Sequence, residues 1–400
     1  MRATGRDNGQ RSRVSVFWNV FRAREKGTVG TRSFFSLLAV VMLLSSAGYG
    51  QTPADNSSRI KPRAPQSSAQ SSAANKGTSV AISRPSDATL AQAKSLLQRG
   101  MLTRAEIVAR QFLEEHADSA DAHFLLGYIL FEEIHGKYLG EEKKEGASFR
   151  YNDAVGHSLA RLRDAKAKES LAEFTAGAKY HVPNAFDLKI VALDYVLLKD
   201  YISADKWLTL SLKWEPTDAQ GWYYLGRTKY SESQFPEAIE AFEECLKLEP
   251  RNLLAEYNVG LSYEGLGQRD QAIQAYQNAI AWQTQSHVKS PEPFIYLARL
   301  YLDENQPEKA VPYLLQAIGV FPEVSKAHEE LGRAYSALHR LSEAQKELEK
   351  AVHLSPERAP LRCMLGQVYR KEGMIAKAQA EFDRCAALQK TQSSVRTTME

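Results

Sequence analysis

The sequence predicts an all-α fold, a run of antiparallel helix pairs repeated along most of the chain. Three observations carry that expectation. A thirteen-residue phrase recurs as AIEAFEECLKLEP (238–250), AIQAYQNAIAWQT (272–284) and AQKELEKAVHLSP (344–356), always with alanine first, a bulky apolar residue fifth and a small residue eighth. Proline closes the phrase with a 34-residue period, Pro216 to Pro250 and again Pro322 to Pro356, and Thr284 holds the place between. Apolar residues recur at i, i+3, i+4 spacing, without the alternation that marks strands.

The elements follow in chain order. Residues 1–50 hold eight Lys/Arg against two Asp/Glu, so the formal charge of +3 sits in the leader and leaves a nearly neutral body. A near-neutral body gives no electrostatic case for nucleic-acid binding. Within the leader, Arg32 precedes an uncharged apolar run, 34–44, followed by small residues. That is the pattern of a signal peptide, and the run is too short for an ordinary spanning helix. Cleavage after Ala47 or after Gly50 fits the small-residue rule, and an uncleaved signal anchor is the alternative. The chain is therefore expected to be exported, periplasmic or secreted, with membrane contact only if the segment is kept. Residues 51–85, rich in Ser, Ala, Pro and Gln, bury too little to offset ordering entropy and read as a disordered linker.

From residue 86 the repeat takes over. Units are expected at about 86–119, 120–184, 185–218, 219–252, 253–290, 291–324, 325–358 and 359–390, with 391–400 a flexible tail. The second unit carries an insertion, 136–163, whose charged stretch LGEEKKEG reads as a solvated loop. Four extra residues around His287–Ser290 are expected to lengthen one turn between units. Each second-half phrase is preceded by a first-half phrase: WYYLGRTKY, EYNVGLSYE, FIYLARLYL, HEELGRAYS, RCMLGQVYR. Gly267 and Gly373 stand where a helix needs a left-handed stop, and Pro236 where a helix begins. Pro312 lies inside a predicted second helix, so a late start or a kink is expected there. The small residues Gly226, Gly260, Ala298, Gly332 and Gly366 of the first helices are expected to face Ala238, Ala272, Ala310, Ala344 and Ala378 of the second, letting the helices approach closely. Phe242, Tyr276, Leu314, Leu348 and Phe382 would then fill space toward neighbouring units.

This pattern closely resembles the tetratricopeptide repeat, whose W-x2-LG-x2-Y … A-x3-F-x2-A … P signature has the same period. The unit 219–252 matches best through Trp222, Leu225, Gly226, Ala238, Phe242 and Pro250, and departs at Lys229 and Cys245. The resemblance implies a right-handed α-solenoid whose first helices line a concave groove. Such modules bind protein or peptide partners.

Catalytic signatures are absent: no GxSxG, no HExxH and no phosphate-cradling glycine loop. Neither catalytic residues nor a metal site nor a cofactor is expected, and His287, His328 and His353 read as solvated helix-face or linker residues. Of the three cysteines, Cys245, Cys363 and Cys385, none forms a CxxC pair. Small buried residues are the commoner reading. A Cys363–Cys385 bridge is the alternative, since both fall in one predicted helix pair.

Function then belongs to a surface. The resemblance places ligand contacts at the second, fifth, sixth, ninth and twelfth positions of the first helices. The fifth and sixth give Phe124, Tyr223, Tyr224, Tyr257, Asn258, Ile295 and Tyr296; the ninth gives Tyr128, Leu193, Arg227, Leu261, Arg299 and Arg333. The expected partner-binding set is Tyr223, Tyr224, Arg227, Tyr257, Asn258, Tyr296, Arg299 and Arg333, since tyrosine and arginine dominate binding hot spots. Against it stands a scaffold reading, in which the tyrosines are half-buried structure and the arginines pair with neighbours of the Glu243 or Glu264 type. The expected function is a non-catalytic interaction scaffold of the cell envelope. The alternative is a structural assembly factor working through convex or end-to-end contacts. No capping helix is expected after residue 390, so Ala378, Phe382 and Leu388 would lie partly exposed as a self-association surface.

Overall fold

The structure, a computed structural model, describes residues 89–144, 154–283 and 288–397. The leader and linker expectations therefore lie outside the described residues. The described chain forms sixteen α-helices and falls into two compact units.

The described part of the smaller unit comprises residues 89–122 and 176–182. It contains the pair α1 (Leu90–Gln98) and α2 (Leu102–Glu115), closed by Gly100 at φ +71°. The Thr89 hydroxyl accepts the Gln92 N–H at 3.1 Å and so caps α1. Ala93, Ala105 and Ala109 are buried between the two helices.

The larger unit holds the other pairs, apart from the first residues of α3 and the last of α4. They are α3 (Ala120–Lys144) with α4 (Ala154–Gly177), α5 (Ala185–Leu197) with α6 (Tyr201–Trp214), and α7 (Ala219–Ser231) with α8 (Phe235–Leu248). After them come α9 (Leu253–Gly265) with α10 (Arg269–Gln283), α11 (Glu292–Asp303) with α12 (Pro307–Val320), α13 (Ser325–Ala337) with α14 (Leu341–Leu354), and α15 (Ala359–Lys371) with α16 (Ile375–Thr397). From α5 onward each helix packs on the next, and first helices also touch the first helix of the following pair. In α8, Ala238, Ala241, Phe242 and Cys245 turn inward while Glu237, Glu240 and Glu243 face solvent. Pro236 stands in its first turn. Leu314, Leu331 and Leu348, all but fully buried, continue one core through the later pairs. Each contributes about 1.5–3 kcal/mol by leaving water.

The turn inside each pair repeats one backbone conformation. Lys199, Ser233 and Gly267 lie 34 residues apart with φ of 59°, 60° and 72°, and Asn305, His339 and Gly373 continue the series at 57°, 58° and 77°. The two glycines take the left-handed role expected of them. The other positions take it without glycine, because the hairpin needs that conformation whatever residue stands there. The step from Gly267 to Asn305 is 38, which locates the four extra residues between α10 and α11. There the buried Gln283 side chain accepts the Ser290 N–H at 2.8 Å and ties down the exit of the turn.

The glycine–alanine crossings take a more specific form than expected. A Cβ on Gly226 would stand 2.6 Å from the Phe242 ring, one on Gly260 2.5 Å from the Tyr276 ring, and one on Gly332 2.6 Å from Leu348. Gly366 meets Phe382 at 2.9 Å in the same way. The bulky residue of the second helix thus seats in a notch over the glycine of its own pair. The alanine opposite contributes at Gly332 and Gly366, where the Ala344 and Ala378 carbonyls come to 3.3 and 3.2 Å. Where the first helix carries Ala298, both it and Ala310 are fully buried, as are Ala238 and Ala272. The interrupted pair obeys the same rule, since a Cβ on Gly127 would meet Phe174 at 2.8 Å.

Several expectations need correction. The insertion is not a loop throughout: α3 runs helical to Lys144 and α4 starts at Ala154, so it lengthens both helices of the hairpin. Of the two outcomes expected at Pro312, the late start does not occur: the helix begins at Pro307 and runs through Pro312. A proline at the first helical position lacks an N–H that would be unsatisfied anyway. His328 is buried rather than solvated, with 6% exposure. Its Nδ1 lies 2.6 Å from Glu347 and its Nε2 2.9 Å from the Pro322 carbonyl oxygen. Trp222 donates to the Pro216 carbonyl at 2.9 Å and Arg362 to the Pro356 carbonyl at 3.2 Å from the same repeat position. His328 therefore does the tryptophan's work of satisfying a helix-end carbonyl.

The C-terminal end also differs. Cys363 and Cys385 are bonded, with Cα atoms 5.5 Å apart, rather than being free small residues, whereas Cys245 is free and buried. Residues 391–397 continue α16 instead of forming a loose tail. Ala378 is buried, and half-buried Phe382 lies under the Arg370 guanidinium at 5.6 Å. Of the expected exposed trio, Phe382 and Leu388 are partly exposed and Ala378 is covered.

Candidate functional site

The first helices α7, α9, α11 and α13 bring the expected residues to successive positions of one stripe. On α7, Tyr223 and Tyr224 are half-buried neighbours with ring centroids 5.6 Å apart, and Arg227 is exposed one turn on. Arg227 lies over the Tyr223 ring at 5.9 Å. Asn258 of α9 donates its amide to the Leu254 carbonyl at 2.7 Å. Asn258 is thus buried and bonded to its own helix rather than facing a ligand.

Tyr257 and Tyr296 meet edge to face at 5.5 Å, and both stack against Tyr276 of α10, at 5.9 and 6.1 Å. Arg299 lies 4.4 Å above the Tyr296 ring and pairs with Glu264 at 2.6 Å. The Tyr276 hydroxyl donates to the other Glu264 oxygen at 2.5 Å. Arg333 pairs with Asp303 at 2.6 Å and Glu330 at 3.2 Å. The stripe continues on the other side, where Tyr128 of α3 and Phe186 of α5 meet edge to face at 5.1 Å.

Burial sets the protonation of these phenols. It pushes Tyr223 and Tyr224 up, and Tyr257 and Tyr276 well above the ordinary phenol value, with neighbouring hydroxyls or Glu264 adding to the rise. Burial and Glu132 push Tyr128 up to about 12. The stripe therefore offers neutral, hydrogen-bonding aromatic faces over the whole physiological range.

The expected arginines divide into two kinds. Arg299 and Arg333 are neutralised by carboxylates of the adjoining repeats, as the scaffold reading expected. Arg227 makes no ion pair among the described residues and stays exposed. Glu264, the kind of neighbour to which the scaffold reading assigned the arginines, takes Arg299. It occupies the twelfth position of its helix, inside the frame already used for the fifth, sixth and ninth.

Models described as tetratricopeptide repeat match residues 90–138 and 297–359, 219–252, and 257–286 and 359–392. The chain is a tetratricopeptide-repeat protein. Proteins of this family are typically interaction scaffolds, usually non-catalytic, and bind protein or peptide partners. Among curated proteins, the PEX5-related protein of Homo sapiens is 36% identical over 66 residues, 16% of this chain and 10% of that protein. The mouse protein of that name is 35% identical over 66 residues, 16% of this chain and 12% of its own length. The chain thus spans about a tenth of the length of the curated relatives it matches. Among solved structures, MamA is 21% identical, with a TM-score of 0.39, covering 42% of this chain and 97% of its own. The Cut9–Hcn1 APC/C hetero-tetramer is 16% identical with a TM-score of 0.46, covering 78% of this chain and 55% of that one.

Proposed function

We propose that this chain is a non-catalytic scaffold of the cell envelope that holds an extended peptide or helix of a partner protein against the stripe of α7, α9 and α11. The observation that carries the reading is Arg227, exposed and without an ion pair among the described residues, fixed against Tyr223 beside Tyr224. Its guanidinium keeps donors for a partner's carboxylate or carbonyl, and the tyrosines supply contact area with little side-chain freedom to lose. Arg299, held by Glu264, lies against the Tyr296 ring and positions this surface. Arg333, paired on both sides, is left to the scaffold.

Envelope location is supported by the leader's signal-peptide pattern and by the Cys363–Cys385 bond, since structural disulfides persist in oxidising compartments. The test is selection of binders from a random peptide library displayed on phage, followed by calorimetry on the full chain. Selected peptides are expected to lose at least tenfold in affinity to Arg227→Glu and to keep it with Glu240→Lys on the outer face of α8. Peptides that bind both variants like the wild type would refute the site.

A further inference from the structure

The last described helix pair carries a disulfide that no other described pair carries. Cys385 stands where the second helix carries Cys245, Ala279, Ala317 and Ala351 in earlier units, and all of these are buried. In the unit 219–252 that small residue is covered from the next pair, through Ala255 and Val259. No further pair follows α16 among the described residues, yet Cys385 is only 1% exposed. What covers it is internal. Cys363 occupies the fifth position of α15, where α7 and α9 carry Tyr223 and Tyr257, and it is bonded across to α16. Beside it, Glu381, 7% exposed, takes Arg362 of α15 at 3.0 Å and Arg384 at 2.6 Å. The helix α16 runs 23 residues where α8, α12 and α14 run 14.

We infer that the Cys363–Cys385 cross-link, backed by the Arg362–Glu381–Arg384 cluster, covers Cys385 from within its own pair and makes the order of α15–α16 depend on oxidation. The covalent bond supplies here what stacking supplies in the unit 219–252. Closing the bond removes two protons and two electrons from the thiols, and these pass to a disulfide-bearing oxidant by thiol exchange. Opening it with dithiothreitol returns them, the reagent leaving as its own cyclic disulfide.

The experiment is amide hydrogen exchange on the full chain, oxidised and then reduced with dithiothreitol, beside Cys385→Ala. That variant keeps the small side chain used at this position in other units. Thiol alkylation of the native chain before reduction establishes the bond. Protection in α15 and α16 is expected to fall by about a hundredfold on reduction and in Cys385→Ala, following the 22-residue separation that the bond spans. Protection in α7–α10 is expected to stay unchanged. Cys245→Ala, which leaves the bond intact, is expected to show no response confined to α15–α16. Unchanged protection of α15–α16 in both bond-free states would overturn this inference, as would ready alkylation of Cys363 and Cys385 without reductant.

Discussion

Gly260 offers a sharp test of the packing rule, because the identical substitution at another helical glycine should have the opposite sign. Gly260→Ala places a Cβ 2.5 Å from Tyr276 Cε1, closer than atoms of real side chains approach. The ring cannot swing away freely: Tyr276 is fully buried and its hydroxyl donates at 2.5 Å to Glu264, which Arg299 also holds. Alanine gains about 1 kcal/mol of helix propensity over glycine. Overpacking costs about 1–3 kcal/mol, and pulling the phenol off a carboxylate forfeits about 1.5–3 kcal/mol more. The net expectation is a loss of about 1.5–5 kcal/mol. Gly319, exposed near the end of α12, has nothing within 4 Å of its Cβ position, so Gly319→Ala should gain about 0.5–1 kcal/mol. Urea unfolding followed by circular dichroism reads both, with hydrogen exchange in α9 and α10 to localise the effect, since long arrays lose two-state behaviour. A Gly260→Ala protein as stable as wild type would show that the ring-over-glycine notch does not hold the hairpins together.

Three further outcomes follow from the same geometry. Burial lowers the His328 pKa, but its bonds to Glu347 and the Pro322 carbonyl outweigh that and leave it raised above 6.5. Its contribution is therefore complete below the unfolded value and lost as pH rises through the folded one. His328→Leu should cost about 2 kcal/mol at pH 5.5 and less at pH 8.5 in urea melts; equal costs would refute the assignment. Asp194 is fully buried, and the Ser170 hydroxyl lies 2.6 Å from its carboxyl and 2.9 Å from the Gly127 carbonyl. One hydroxyl proton cannot serve both, so Asp194 carries a proton of its own, and burial raises its pKa well above the usual carboxylate value. Its stabilisation is present at low pH and lost as pH rises through the folded pKa. Asp194→Asn should flatten that dependence, and an unchanged pH profile would contradict it. At the turn between α13 and α14, His339→Gly at φ 58° should raise stability by about 0.5–1 kcal/mol in urea melts, whereas a loss would show that the side chain matters more than the backbone.

The period was legible because glycine, alanine and proline mark crossings and ends that other residues cannot occupy. The left-handed turns were legible only where glycine announced them. At Lys199, Ser233, Asn305 and His339 the hairpin imposes the conformation on residues that do not advertise it. His328 was misread through its type, although its alignment with Trp222 held the answer. The candidate stripe was readable as a set of positions but not as a set of partners. Whether an arginine faces a ligand or a carboxylate depends on the neighbouring repeat, and one sequence position does not show that. Arg299 and Arg333 pair with Glu264 and Asp303, and Arg227 has no ion pair among the described residues. The disulfide rests on two Cα positions 5.5 Å apart, a distance fixed by packing rather than by local sequence.

The most direct test of the functional account is site-specific photo-crosslinking of the full chain in the cell that makes it. A photoreactive phenylalanine analogue placed at 224 samples the first-helix stripe, and one placed at 240 samples the outer face of α8. The account predicts a discrete protein adduct from position 224 that disappears with Arg227→Glu, and none from position 240. Adducts from 240 with nothing from 224 would contradict it.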